Sequence, residues 1–228
     1  MTSERSLYGP GQSRFARYLE RREQQRPDPV ARELRRRLLA GMRGRLIEVG
    51  CGDGRAFELY PPGVEHVLAI ERDPLAREAA LERAAAAPVP VDVVDGDAGA
   101  LPAADGAFDG AVMVWVLCSV SNPAGALSEV RRVLAPGGEL RFYEHVRSRH
   151  PVFRAVQRAG DALFWTRALG GCRTARDTVS AIRSAGFDIL ELTRGFHSSS
   201  LLTITSAPHV IGRARPAGVA PPRPASLA

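Results

Sequence analysis

The chain contains no lysine: all 31 of its basic residues are arginine, and its formal net charge is +6. A balance this basic invites a nucleic-acid reading. An arginine- and alanine-rich proteome would give the same bias without a selected basic face, and charge runs are ordinarily solvated. Twelve arginines fall in residues 1–45, so an anionic partner would have to bind there. No nucleic-acid partner is expected. Cysteine is also scarce. Cys51, Cys118 and Cys172 are widely separated and odd in number, which argues against a disulfide framework or a zinc cluster and for a reducing compartment. No apolar run approaches the ~20 residues of a membrane span. The opening MTSERSLYGPGQSRFARYLERREQQ lacks the apolar core of a secretion signal. The expectation is a cytoplasmic protein with no membrane span.

With 228 residues the chain suits one sizeable domain. Residues 1–44 read as polar helices broken by RPDP (Arg26 to Pro29), a segment expected to form part of a substrate cover. Strands and helices then alternate. Strands are expected at Arg45 to Val49, Val67 to Glu71, Val91 to Asp95, Gly110 to Leu117 and Glu139 to Glu144. Helices are expected from about Arg55, at Pro74 to Ala86 and at Pro123 to Leu134, with Asp73 and Asn122 as N-caps. APGG (Ala135 to Gly138) reads as a helix stop and turn. This alternation predicts an α/β fold: a Rossmann-like, mostly parallel seven-stranded sheet with helices on both faces and a C-terminal antiparallel strand. The domain is expected over 45–214. Within it, 151–172 is an inserted aromatic helix, either lid or core. Next come a helix from about Thr174 to Ala185, strands at Phe187 to Leu192 and Pro208 to Ala214, and a disordered tail over 215–228.

The chemistry concentrates at LIEVGCGDG. Gly50, Cys51, Gly52 and Gly54 sit where the first strand turns sharply towards a helix, the place in an open parallel sheet where ligands bind. The spacing is G-x-G-x-G rather than the dinucleotide G-x-G-x-x-G. Glu48 and Asp53 put negative charge where a pyrophosphate would lie, so a cationic nucleoside such as S-adenosylmethionine fits better. Glu71, at the end of the second strand, is placed to accept hydrogen bonds from ribose hydroxyls, and Asp97, after the third, to receive the adenine amino group.

In order, LIEVGCGDG, AIERD, DGDAGALP, FDGAV and EVRRVLAPGGEL resemble the motifs of class I S-adenosylmethionine-dependent methyltransferases over residues 45–145. The resemblance implies a cofactor site of Glu48, Gly50, Cys51, Gly52, Gly54, Glu71, Arg72, Asp97, Ala98 and Leu117. ELYPPG, VLCSVSNPAGALSEVRRVLAPGGELRFYEHV, GGCRTARDT and PHVIGRA are similar to the branch holding the mammalian alkyl-thiol methyltransferases and their bacterial relatives. That narrower resemblance implies S-methylation of an apolar small-molecule thiol. Mammalian members carry an apolar N-terminal anchor; this sequence shows none, so membrane attachment is not carried over.

Methyl transfer from a sulfonium is a displacement in which alignment matters most. His145 is the candidate base or substrate-positioning group. Glu144 and His145 should point opposite ways on a strand and form no dyad. Cys118, Cys172 and Arg176 are the candidate acceptor contacts, with Cys118 read as a lining residue rather than a nucleophile. Thr174 and Asp177 have the outline of a capping box. No metal-ligand spacing is visible, so no metal is expected. Two rival readings stand beside this one. The first is a C- or N-methyltransferase acting on a quinone or phospholipid headgroup. The second is a non-catalytic cofactor-binding regulator that uses the arginine-rich front.

Overall fold

The computed structural model describes residues 28–165, 171–198 and 201–218. Seven strands form one sheet: β1 Gly44–Val49, β2 Val64–Ile70, β3 Val91–Val94, β4 Phe108–Val114, β5 Leu134–His145, β6 Phe187–Phe196 and β7 Pro208–Pro216. Their order is β3-β2-β1-β4-β5-β7-β6. Only β7 runs against its neighbours. This is the expected architecture, and the strand order reverses between β1 and β4.

Strand periodicity divides the core between the two faces. Leu46 and Val112 pack with Leu38, Leu39, Phe57 and Ala80, whereas Ile47, Ala111 and Met113 pack with Leu127, Val130 and Ile182. Successive side chains of a strand point to opposite faces, so both faces of the central strands are buried. The first face is covered by α1 (Pro29–Leu39) and α2 (Pro74–Ala84). The second is covered by α3 (Pro123–Val133) and α5 (Thr178–Ser184). A further helix, α4 (Pro151–Gly160), continues into a π-turn at Asp161–Trp165. Among the described residues no helix is long and apolar enough to cross a membrane.

Capping sets the helix starts. Asp28, Asp73 and Asn122 each precede a proline and accept backbone N–H bonds from the first turn, a position where proline's missing donor costs nothing. Three local expectations are corrected. The helix expected from about Arg55 is one 3-10 turn, Phe57–Leu59. Pro61 supplies no N–H and restrains Tyr60 to its observed extended conformation at ψ 131°. Ala135 to Gly138 is not a simple turn but a bulge within β5, where pairing jumps from Phe108↔Leu134 to Gly110↔Glu139. Thr174 does not cap α5. Asp177 does so, accepting from the Ser180 amide, while Thr174 donates its amide and hydroxyl to Asp161 Oδ1.

The cover expected from residues 1–44 is described only from Asp28 onward; the tail expected from 215 is described to Gly218, and its Arg215 and Pro216 are corrected to strand, paired with Asp188 and Phe187 as the end of β7. Residues 166–170 of the inserted segment lie outside the described residues. Of its apolar residues, Val152, Val156 and Leu163 are exposed and Phe153 packs edge-on against Phe196.

Candidate active site

The glycine loop leaves β1 beside the strand-order reversal. The Gly50 and Cys51 amides both donate to Ile70 O, at 2.8 and 3.1 Å, which folds the loop over the end of β2. A Cβ on Gly50 would stand 2.7 Å from Val116 Cγ2, so only glycine lets the loop approach β4 this closely. Gly52, at φ +59°, has no atom within 4 Å of where its Cβ would stand. The crest of the loop is therefore open to a ligand. Gly54 turns the chain towards Phe57, and Cys51 is buried, which pushes its thiol well up.

The acids stand at the strand ends as expected. Glu71 is buried and grips the loop. Its Oε2 accepts the Gly52 amide at 2.9 Å and its Oε1 accepts the Asp73 amide at 2.8 Å. The two oxygens offer about four lone-pair positions, more than these backbone amides and that of Arg72 occupy, so acceptor capacity remains for a diol. Burial pushes the Glu71 carboxyl upward, and the amide donors oppose that shift. Asp97 accepts the Gly99 amide and lies 3.5 Å from Arg72, both side chains being exposed. Ala98 packs against the core beside them.

Two charges counted against a pyrophosphate are not presented as such. Asp53 is buried between Arg55 (2.7 Å) and Arg83 (2.8 Å), which neutralise it and hold its carboxyl low despite burial. Glu48 is buried and accepts the Tyr60 hydroxyl at 2.8 Å, and burial raises its pKa from 4.5 to about 7. Glu71 and Asp97 therefore carry the preference for a cationic nucleoside. Leu117 gives the crevice no side chain: it is fully buried in the core, its amide held by Glu144 and its carbonyl by Arg176.

The Glu48 shift has a direct consequence. A carboxyl whose folded pKa exceeds its unfolded value contributes stability that is full below pH ~4.5 and lost as pH rises through about 7. Glu48→Gln is expected to gain about 3 kcal/mol relative to the parent between those limits. Urea unfolding of both proteins at pH 4.5, 6 and 8 measures this, and parallel stability curves would contradict it.

Beyond the ends of β4 and β5 the fold gathers the acceptor-side residues. Glu144 and His145 form no dyad, as expected: their partners differ. Glu144, fully buried, accepts the Val116 and Leu117 amides on Oε1 at 3.0 and 2.9 Å and the Cys118 amide on Oε2 at 3.0 Å. Its carboxyl is pushed up by burial while the three donors pull against the shift. His145 Nδ1 lies 3.7 Å from Cys118 Sγ and 3.4 Å from Cys172 Sγ, and the two sulfurs are 3.6 Å apart. Sequence reading anticipated no metal-ligand cluster. The fold places these three ligand atoms within 4.8 Å of one another, a meeting that no spacing along the chain showed. Burial pushes the Cys118 thiol well up, so Cys118 is no activated nucleophile.

Arg176 serves the scaffold. Its guanidinium donates to Leu117 O and Val120 O at 2.6 and 2.7 Å, tying the Cys172 loop to the chain after β4. Sequence reasoning missed three supports. Trp115, at φ +60°, stacks its ring on His145 at 5.2 Å. Arg35, buried on α1, places its guanidinium 4.6 Å from the centre of that same Trp115 ring, so the N-terminal helix reaches the site. Gln157 accepts the Ser148 amide and shares its two N–H donors among the Val146, Thr174 and Thr205 carbonyls, which fixes the segment carrying Cys172. For Arg35 the signal was available: Ala31, Leu38 and Leu39 mark the buried stripe on which it falls.

A reversal between β1 and β4, a glycine loop there, and acids after β2 and β3 define a Rossmann-like nucleoside-binding protein. Comparison with known proteins specifies the class. A methyltransferase domain family matches residues 47–142. The thiol S-methyltransferase TMT1B of Homo sapiens is 33% identical over 183 residues, covering 77% of this chain and 73% of that protein. The thiol S-methyltransferase TMT1A of Homo sapiens is 34% identical over 158 residues, 67% of this chain and 64% of that protein. Among solved structures, an S-adenosylmethionine-dependent methyltransferase of Thermotoga maritima, described as a possible histamine N-methyltransferase, superposes with a TM-score of 0.65. It is 24% identical and covers 89% of this chain and 97% of that one. The chain belongs to the class I S-adenosylmethionine-dependent methyltransferases.

Its cofactor is S-adenosylmethionine, which supplies an electrophilic methyl on a sulfonium. The residues present suit it: the open crest at Gly52 and the Glu71 carboxylate would receive a ribose, and Asp97, whose carboxylate is exposed, would meet the base.

Proposed function

We propose that this enzyme methylates the sulfur of a small, apolar thiol. The reading rests on the soft cluster of Cys118, Cys172 and His145 beyond β4 and β5. Such a surface favours a polarisable sulfur over an amine or a sugar hydroxyl. The two human relatives, both thiol S-methyltransferases, support it. The outward apolar side chains of Val152 and Val156 on α4, whose Gln157 holds the Cys172 loop, and of Leu163 in the π-turn after it support an apolar acceptor.

On this reading the acceptor sulfur is received at the Cys118, His145 and Cys172 cluster, and Trp115 fixes the imidazole plane. The reacting species is the thiolate, since the thiol itself is a poor nucleophile. A free thiol ionises near 8.5, so kcat/KM for an alkyl thiol is expected to rise with pH and level off once the acceptor is ionised. Methyl transfer to a panel of alkyl thiols, quinols and aminolipids tests the reading. Turnover of quinols or aminolipids with inert thiols would end it.

A further inference from the structure

We propose that Cys118, His145 and Cys172 form a three-coordinate site for a thiophilic divalent cation, zinc, whose fourth position receives the acceptor thiol. The proposal deepens the thiol reading and rests on it for the fourth ligand only.

The spacing suits a metal. A tetrahedral zinc with sulfur at ~2.3 Å and nitrogen at ~2.0–2.1 Å sets ligand–ligand edges of about 3.8 Å for S···S and about 3.5 Å for S···N. The observed edges are 3.6 Å between the sulfurs and 3.4 and 3.7 Å from sulfur to Nδ1. Ligands of this softness favour zinc over calcium or magnesium, which take oxygen donors.

The three ligands come from separate parts of the fold: the segment after β4, the last residue of β5, and the loop before α5. Each is held independently. Glu144 fixes the Cys118 amide, and Trp115 stacks on the His145 ring. The Cys172 loop is pinned by Gln157, Asp161 and Arg176, and the Arg173 amide donates to Cys118 O at 2.8 Å. A tripod this restrained suits a site whose geometry must persist when one ligand exchanges. Cys118 and Cys172 are buried while His145 stays partly accessible, so the histidine is the exposed corner of the triangle. Catalytic zinc sites have this form, three protein ligands and one free position.

The chemistry balances. An acceptor R–SH takes the fourth position and releases its proton to solvent. Its sulfur then bonds the methyl carbon as the methyl–sulfonium bond breaks, and that bond's electron pair stays on the cofactor sulfur. The products are R–S–CH3 and S-adenosylhomocysteine. A thioether is a weak ligand, so it leaves and water or the next thiol enters.

The test begins with elemental analysis of the full chain purified under reducing conditions and supplied with zinc. One equivalent per chain is expected, removable by a chelator. Affinity should fall at least tenfold in Cys118→Ser and Cys172→Ser, with cofactor binding retained as the check on folding. Cobalt(II) in the chelated parent should give a sulfur-to-cobalt charge-transfer band that shifts when an alkyl thiol is added. That measurement decides the matter even where a variant fails to fold. Absence of stoichiometric metal with all thiols reduced, or binding by both serine variants as tight as the parent's, overturns the site. Full-rate thiol methylation by the metal-free protein overturns the metal's role and leaves the thiol reading intact. Metal bound with no thiol methylated, and a cobalt band unmoved by thiols, overturns the thiol reading and the fourth position together.

Discussion

Glu144→Ala is expected to destabilise the protein by about 3–5 kcal/mol and to abolish methyl transfer. The carboxylate is fully buried and accepts three consecutive amides, Val116, Leu117 and Cys118. Alanine leaves all three donors without an acceptor in a dry site, and each unmet buried donor costs about 1–3 kcal/mol. Relief of the charge's own desolvation offsets part of that cost. Those amides also set the path of the chain after Trp115, whose left-handed φ of +60° is a strained conformation for a bulky residue. Without Glu144 the segment relaxes and Cys118 leaves its position beside His145. Glu144→Gln should fall between the two: its oxygen can serve Val116 and Leu117, but its amino group then faces the Cys118 N–H. Guanidinium unfolding gives the stability and cofactor titration shows whether the crevice survives. A stability loss below ~1 kcal/mol for the alanine variant would contradict this role.

Much of the cofactor side was legible because its chemistry lies in consecutive residues. The alternation of apolar runs with N-cap–proline pairs located the sheet and its helices, and LIEVGCGDG carried both the turn and its acid. Glu71 and Asp97 could be placed because the end of a parallel strand is a position countable along the chain. The acceptor side was not legible for a physical reason. Cys118, His145 and Cys172 are separated by 27 residues at each step and meet only through the strand order and a loop bound by Gln157 and Asp161. No local spacing announces such a meeting. Glu144 was hidden differently, since its partners are backbone amides, which leave no mark on residue type. At the loop neither charge faces a ligand: Asp53 reads as a ligand-facing acid until Arg55 and Arg83 are seen to enclose it, and Glu48 is buried against the Tyr60 hydroxyl.

The remaining acid makes the second large effect. Glu71→Gln is expected to weaken S-adenosylmethionine binding by about 10- to 150-fold, the equivalent of the ~1.5–3 kcal/mol carried by hydrogen bonds to a charged group. Both carboxylate oxygens already bind backbone, through the Gly52 and Asp73 amides, and the carboxylate keeps acceptor capacity for a ribose hydroxyl. Glutamine can match one amide at most, because its NH2 group would oppose the other N–H. It would therefore loosen the loop crest and remove one diol acceptor together. The effect belongs to binding: kcat at saturating cofactor should fall far less than kcat/KM for the cofactor. Asp97→Asn should weaken binding less, since its side chain is largely exposed and solvent screens the contact. Calorimetric titration of both variants with S-adenosylmethionine and S-adenosylhomocysteine separates these outcomes. A Glu71→Gln dissociation constant within about twofold of the parent would show that the crevice at Gly52 does not receive the ribose.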